Sequence, residues 1–169
     1  MDFKIQGKKA LITGAGRGLG ASIVEHLVAE GVHVAIVSRG KAALKELFAS
    51  IGGAKAGHIM MAEDMTAEGV PVKVCKEIQK KFGSPDIIVN NLGDTLDIRD
   101  PYCTIDDWRR VFRINLEVGI EINNFFIPAM QKNQWGRIVH ITSIAALENQ
   151  GRPRIRHATR SSRTVESLR

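Results

Sequence analysis

The segment TGAGRGLG, residues 13–20, places four glycines between an apolar stretch and a helical pattern. The preceding KKALIT (8–13) is typical of a short buried strand, and the following LGASIVEHLVAEG carries an apolar stripe at Leu19, Ile23, Leu27 and Val28. Gly14, Gly18 and Gly20 would permit a tight turn, a close backbone approach to a pyrophosphate, and close packing of helix on strand. A plain strand-to-helix turn also uses glycine, but this strand–turn–helix context favours a dinucleotide site.

Outward from this segment, strand and helix patterns alternate along the chain. Further strands are predicted at 32–38, 57–63, 85–91 and 136–143, and further helices at 42–53 and 70–83 and, as one long helix beginning at TIDDW, at 104–130. Strands that are apolar on both faces and separated by helices form parallel sheets with crossover connections. The predicted fold class is therefore α/β, a doubly wound parallel sheet of the Rossmann type.

The positive charge of the chain is concentrated at its end. The 169 residues carry a formal net charge of +6 and a pI near 9.6, but residues 152–169 hold six arginines against Glu166 alone. The rest is nearly neutral, with a composition typical of a globular domain. Membrane binding is not predicted, because no apolar run is long enough to cross a bilayer and MDFKIQGKKA is no signal peptide. Cys75 and Cys103 have no metal-ligand spacing, so we predict no metal site and a reduced, cytoplasmic protein.

Four motifs together resemble the short-chain dehydrogenase/reductase family, of the 3-oxoacyl-carrier-protein reductase type. They are TGAGRGLG, NNLG (90–93), RINLEVG with Asn115, and IVHITS ending at Ser143, and the resemblance covers about residues 4–151. It implies hydride transfer between a nicotinamide cofactor and a small carbonyl or alcohol substrate, and a homodimer or homotetramer formed partly through the helix at 104–130. We assign 1–151 to a dinucleotide-binding domain and 152–169 to an Arg/Ser-rich tail out of register with the family.

The resemblance also implies the residues that contact the cofactor. The pyrophosphate and adenosine ribose would be lined by Gly14, Gly16, Arg17, Gly18, Leu19 and Gly20. Asp64, followed by Met65, would contact the adenine ring, although its carboxylate could also cap the next helix. Asn90, Asn91 and Gly93 would lie under the cofactor's sugar, where an asparagine pair is otherwise ordinary turn chemistry. Leu92 stands where the family usually has alanine and could crowd the ribose.

The end of the second predicted strand bears on the choice of cofactor. Enzymes that use NAD carry a carboxylate there to hold the ribose 2′-hydroxyl, whereas this chain has Ser38 and Arg39. Arg17 in the glycine turn adds a second guanidinium, and two such groups suit a 2′-phosphate. Solvated surface arginines are the alternative interpretation. We therefore favour NADP(H), with NAD(H) left open.

The catalytic positions match the family only in part. Reduction of a carbonyl builds negative charge on its oxygen, which must be stabilised and protonated. The resemblance assigns Ser143 and Asn115 to this machinery, but the expected tyrosine and lysine positions hold Arg156 and Arg160. Neither guanidinium can serve as an acid, and His157 lies one residue away, on another side of a helix. Tyr102, the one tyrosine of the chain, is out of register.

Three explanations of the last residues stay open. We favour a sequence that is truncated before the last strands or misread after residue 151. Such a sequence would leave a reductase without its catalytic proton donor. The alternative is a catalytically inactive nucleotide-binding or regulatory paralogue. A nucleic-acid-binding tail is least favoured, because the segment has no aromatic residue on which a base could stack.

Overall fold

A computed structural model describes residues 3–98, 100 and 102–143. It contains five strands, which are β1 (Lys9–Thr13), β2 (His33–Ser38), β3 (Ile59–Ala62), β4 (Ile87–Asn90) and β5 (Arg137–His140). The α-helices are α1 (Gly18–Ala29), α2 (Lys41–Ser50), α3 (Val70–Lys81), α4 (Ile105–Phe112) and α5 (Val118–Lys132). Each of the five predicted strands is confirmed, with ends that differ by a few residues.

The five strands form one parallel sheet in the order β3-β2-β1-β4-β5. From β1 the chain moves outward through β2 to β3, then returns to the other side of β1 and continues through β4 to β5. The strand order therefore reverses between β1 and β4, and open α/β sheets bind ligands beyond the carboxyl ends of the strands at such a point. The predicted doubly wound parallel sheet is confirmed.

Two apolar layers cover the two faces of the sheet. On one face, α1 and α2 pack Val24, Leu44 and Leu47 against strand residues that include Ile12 and Ile36. On the other face, α3 and α5 supply Val74, Ile78, Ile122 and Phe126. Side chains alternate between the faces along each strand, so the fully buried strands are apolar at nearly every position.

The predicted long helix is present but not uniform. Helical structure runs without a break from Ile105 to Lys132, and the five residues Arg113–Glu117 form a π-helical turn between α4 and α5. Thr104 caps the start, as its hydroxyl oxygen accepts a hydrogen bond from the Asp107 amide at 3.2 Å. π-turns are rare and occur often at functional sites, and this one contains Asn115.

One local prediction and one alternative interpretation were wrong. Leu19 does not belong to the buried stripe of α1, because its side chain is 57% exposed where the helix begins, while Ile23, Leu27 and Val28 pack on the core. Asp64 does not cap a helix, since α3 begins six residues later, at Val70, with Gly69 before it. The Asp64 carboxylate instead closes a turn with Thr66.

Candidate functional site

A cleft of about 250 Å³ opens where the strand order reverses, at the carboxyl ends of the strands. It brings together ten of the residues predicted to bind a cofactor, from four separate segments of the chain. These are Gly14, Arg17, Leu19, Gly20, Ser38, Arg39, Asp64, Met65, Asn91 and Gly93. Their roles stay predictions, but they share one cleft.

The glycine turn leaves no room for side chains at two of its positions. A Cβ atom on Gly20 would lie 2.3 Å from the Gly14 carbonyl oxygen and 2.6 Å from Asn91 Nδ2. Gly14 has a φ of 64°, in the left-handed region that favours glycine, and a Cβ there would lie 3.0 Å from Asn91 Nδ2. The first turn of α1 thus packs so closely on the glycine turn and the end of β4 that only glycine fits there.

Asn91 holds this turn in place. Its Nδ2 donates to the carbonyl oxygens of Thr13 and Gly14, both at 3.2 Å. Its backbone N–H donates to Thr13 Oγ1 at 3.1 Å, and that hydroxyl lies 3.4 Å from the Val89 carbonyl oxygen. The side chain of Asn91 therefore joins β1, the glycine turn and β4 in one hydrogen-bonded unit.

The amino end of α1 suits an anion. The residue before the helix, Arg17, makes no side-chain cap, and the first turn holds no acidic residue. The N–H groups of a first helical turn have no partner within the helix and carry the positive end of its dipole. The residues present therefore fit the pyrophosphate of a dinucleotide, because these donors are left open beside a glycine-rich turn.

Two guanidinium groups line the cleft near the end of β2. Arg17 and Arg39 are exposed, and neither forms a salt bridge with another described residue. Ser38 lies close to the glycine turn, since a Cβ on Gly16 would be 2.9 Å from Ser38 Oγ. Two cations are thus available to a ligand on this side of the cleft.

The end of β3 adds carboxylates that sequence reasoning only partly foresaw. Asp64 Oδ1 accepts hydrogen bonds from the Thr66 hydroxyl at 2.7 Å and the Thr66 amide at 2.9 Å. These bonds, aided by the charge of Arg39, lower the pKa of the Asp64 carboxyl, so it is ionised at neutral pH. Glu63, which was not predicted, also lines the cleft. Its position directly after a predicted strand was the available signal.

Asn115 braces the loop that follows β4. Its Nδ2 donates to the carbonyl oxygens of Asp94 at 2.7 Å and Val111 at 2.9 Å, and its Oδ1 accepts from the Asp94 amide at 3.2 Å. A Cβ on Gly93 would lie 3.1 Å from Asn115 Oδ1. Leu92 lines the cleft while packing on the core beneath α3 and α5. Asp94, Thr66, Ile114 and Val37 complete the residues that sequence reasoning missed.

Some predicted residues lie outside the cleft. Gly16 and Gly18 belong to its glycine turn without lining it, and Ser143 follows β5 as an exposed residue. Asn90 was expected under the cofactor's sugar, but it is only 8% exposed and its amide points towards α5. Consecutive strand residues face opposite ways, so Asn90 and Asn91 point to different sides, and the contact of Asn90 with the cofactor's sugar stays a prediction. Arg156, His157, Arg160 and the tail at 152–169 lie outside the described residues.

A larger cavity of about 580 Å³ adjoins the cleft at Arg39. Its other cations come from the long helix and are already paired: Arg109 with Asp106, Arg110 with Asp107, and Arg113 with Glu121. Arg113 also donates to the Thr66 carbonyl oxygen at 3.0 Å. The smaller cleft is the better anion site because its arginines have no such partners.

Two other chemistries find little support in the described part of the chain. No group of three or more His, Cys, Asp or Glu side chains there could hold a metal ion. Burial raises the pKa of the Cys75 thiol to about 12, so this cysteine is not a thiolate at neutral pH. Among the described helices, none is long and apolar enough to cross a membrane.

Comparison with known proteins identifies the class. A family model described as short chain dehydrogenase matches residues 8–154. The chain belongs to this family. It is 35% identical over 148 residues to the 3-oxoacyl-[acyl-carrier-protein] reductase FabG of Aquifex aeolicus, a match that covers 85% of this chain and 58% of that protein.

Solved structures agree with this family. L-sorbose reductase from Gluconobacter frateurii, complexed with NADPH and L-sorbose, superposes with a TM-score of 0.82 at 27% identity, covering 96% of this chain and 61% of that one. A 7α-hydroxysteroid dehydrogenase complexed with NADH and 7-oxo glycochenodeoxycholic acid gives a TM-score of 0.82 at 27% identity, covering 94% and 61%. The chain thus spans about three fifths of the length of these relatives.

Proposed function

We propose that this chain binds NADP(H) in the cleft and belongs to an oxidoreductase. The enzyme would transfer a hydride between this cofactor and a small carbonyl or alcohol substrate. The observation that carries this function is the pairing of an open helix end with two guanidinium groups. The first-turn N–H groups of α1 would hold the pyrophosphate, while Arg17 and Arg39 would hold a ribose 2′-phosphate. NADP(H) supplies the hydride when it is bound; the protein positions it.

The carboxylates of the cleft sharpen this choice of cofactor. Asp64 is held by Thr66 and would reach the adenine ring through its remaining oxygen, as family resemblance implies. The charges of Asp64 and Glu63 would repel a 2′-phosphate if no cation stood between. Arg39 acts electrostatically on Asp64, so it would offset this repulsion. NADP(H) is therefore favoured over NAD(H) chiefly through Arg39.

Ser143 and Asn115 would have different roles in the reaction. Ser143 lies three residues beyond the end of β5 and would donate a hydrogen bond to the substrate oxygen as negative charge builds there. The amide of Asn115 is occupied by Asp94 and Val111, so this residue would act by holding the loop of Gly93 and Asp94. Asn115 is in this view a positioning residue.

The proton donor of the family is absent from its expected position. Arg156 cannot donate a proton at working pH, which supports the alternative of a paralogue that binds the nucleotide without turning it over. A general acid contributes about a hundred- to ten-thousand-fold to such a reaction. Under this alternative, we expect the chain to bind NADPH without measurable reduction of carbonyls.

We also propose a homodimer or homotetramer that uses the long helix. Ile105 on α4 is 64% exposed and Ile120 on α5 is 45% exposed, so this helix presents apolar side chains to solvent. Exposed apolar patches on soluble proteins often mark interfaces with other chains.

The proposed function is tested by replacing Arg39 with Gln and measuring nucleotide affinity by calorimetry. Loss of a charge-assisted hydrogen bond costs about 1.5–3 kcal/mol, so NADPH should bind about 10- to 150-fold more weakly while NADH changes little. Arg137→Gln is the matched control, because Arg137 begins β5 at the opposite edge of the sheet. Equal affinity of the unaltered protein for both nucleotides would contradict the role of Arg39. Failure to bind either nucleotide would contradict the proposed function and indicate a purely structural α/β domain.

A further inference from the structure

Another, much smaller cavity lies between the ends of β4 and β5 and helix α5. Its volume is about 20 Å³, which is room for one water-sized molecule. Polar residues line it from four elements: Thr13 from β1, Asn90 from β4, His140 from β5, and Asn115 from the π-turn. A cavity of this size and polarity suits a ligand that forms hydrogen bonds.

Three side chains beside the cavity form a hydrogen-bond chain. Asn90 Nδ2 donates to Asn123 Oδ1 at 3.0 Å, and Asn123 Nδ2 donates to His140 Nε2 at 3.3 Å. Asn90 and His140 are register partners on neighbouring parallel strands, so they stand side by side on the face covered by α5. Asn123 of α5 bridges the two.

The chain has a direction, and it leaves one buried atom without a partner. Because His140 Nε2 accepts a hydrogen bond, the imidazole is neutral and carries its proton on Nδ1. At the other end, Asn90 Oδ1 is buried and has no hydrogen-bond partner among the described residues. A buried acceptor of this kind is costly unless a ligand donates to it.

Gly119 keeps the space beside this oxygen open. It lies in the interior of helical structure, where glycine is less favourable than alanine. A Cβ at this position would lie 3.5 Å from Asn90 Oδ1 and 3.7 Å from His140 Cε1. Any side chain here would therefore stand against both ends of the hydrogen-bond chain.

We infer that the cavity is a binding site for a single water molecule, and that His140 is a positioning residue which sets how Asn90 meets it. With neutral His140, Asn90 Oδ1 accepts a hydrogen bond from the water. If His140 takes up a proton, Nε2 becomes a donor, so the Asn123 amide must turn its oxygen towards His140. Asn123 Nδ2 then faces Asn90, whose amide must turn in response and present its N–H groups to the water.

The surroundings of His140 provide amide groups that can reverse their hydrogen bonds when its protonation changes. Among residues 3–98, 100 and 102–143, the groups that face His140 from the elements packed on it are Asn90 on β4 and Gly119 and Asn123 on α5, and none of these three titrates. Burial lowers the pKa of His140. The cavity also shares Leu92 and Ile114 with the cofactor cleft and is lined by Asn115. If the proposed function holds, the water adjoins the loop that positions the cofactor.

Nuclear magnetic resonance of the whole chain without cofactor tests this inference separately from the proposed function. The side-chain amide signals of Asn90 and Asn123 and the ring nitrogens of His140 are followed from pH 8 to pH 5. We expect the Asn90 amide signals to shift with the same midpoint as His140, and to show a cross-relaxation signal to a bound water. Asn123→Ala should abolish the response of Asn90 while His140 still titrates.

Further variants keep the test decisive if Asn123→Ala does not fold. His140→Gln offers an amide that can donate or accept without titrating, so the Asn90 signals should become independent of pH. Gly119→Ala should remove the water signal, whereas Asn124→Ala, at an exposed neighbour on α5, should change neither response. Asn90 signals that ignore the titration of His140, or that follow pH unchanged in His140→Gln, would overturn the inference. A water signal that survives in Gly119→Ala would overturn the water site.

Discussion

Asn90 and Asn91 are adjacent in the chain, yet they serve different regions of the molecule. Asn91 uses its side-chain amide to hold the glycine turn against β4, and both hydrogen bonds from Nδ2 go to backbone carbonyl oxygens, those of Thr13 and Gly14. Asn90 faces the other way and joins Asn123 and His140 beneath α5. The first region is fixed by steric contact and backbone hydrogen bonds, whereas the second depends on side-chain amides that can be reversed.

This difference suggests that the two regions respond to different perturbations. Added volume should damage the glycine turn, because backbone atoms there already stand at contact distance. A change of protonation should act on the region of Asn90, because its hydrogen bonds end on an imidazole.

The largest effect is expected for Gly20→Ala. The added Cβ would lie 2.3 Å from the Gly14 carbonyl oxygen, so the backbone of the turn must move. Overpacking of this kind costs about 1–3 kcal/mol, and contact with backbone favours the upper end of that range. Urea unfolding measures the loss in the free energy of unfolding.

Gly40→Ala is the control for this substitution. Gly40 also precedes a helix, has a φ of −74°, and would place its Cβ with nothing within 4 Å. Its replacement should change the free energy of unfolding by less than about 1 kcal/mol. Equal losses in the two variants would mean that steric contact does not define the glycine turn.

A smaller loss is expected for Asn91→Ala. The variant removes two hydrogen bonds from Nδ2 to the backbone, each with a net value of about 0.5–1.5 kcal/mol. We expect the free energy of unfolding to fall by about 1–2 kcal/mol, measured in urea. The exposed Asn124 provides the control, since Asn124→Ala should stay within about 0.5 kcal/mol of the unaltered protein. A loss no larger than that of the control would remove Asn91 from the hydrogen-bonded unit.

The smallest effect is expected when acid protonates His58, which precedes β3 at the edge of the sheet opposite β5. His58 is 4% exposed, and its Nδ1 accepts a hydrogen bond from the Val34 amide at 3.1 Å, which requires an unprotonated Nδ1. Burial, and then the charge of His33, lower its pKa below the ordinary value of 6.5. The unfolded chain therefore binds the proton more readily, and stability should fall as pH drops below about 6.5.

His58→Gln separates this effect from that of His140, which has the same sign. Glutamine does not titrate, so the decline in the free energy of unfolding between pH 7.5 and pH 5 should be shallower in this variant. One group changes the slope by at most about 1.4 kcal/mol per pH unit. Identical slopes in urea unfolding would indicate that His58 contributes nothing to the sensitivity to acid.

Prediction from sequence succeeded where a signal is local. The five strands follow from short apolar runs, and Thr104 followed by Asp106 and Asp107 marks the start of the long helix. The same reasoning placed Leu19 on the buried stripe of α1, because a periodic pattern cannot tell that the first turn of this helix opens into a cleft. It also treated Asn90 and Asn91 as one pair, although side chains alternate along a strand.

The sequence by itself determined the order of strands and helices and the glycine turn, because backbone preference and apolar periodicity depend on residues close together in the chain. Only the tertiary structure decided that Asn91 holds Thr13, 78 residues away, and that Asn90 meets Asn123, 33 residues away. It likewise brought Glu63 into the cleft and closed Asn115 onto the loop of Asp94. Such contacts arise when packing brings distant segments together, and no local pattern encodes which buried amide will face which partner.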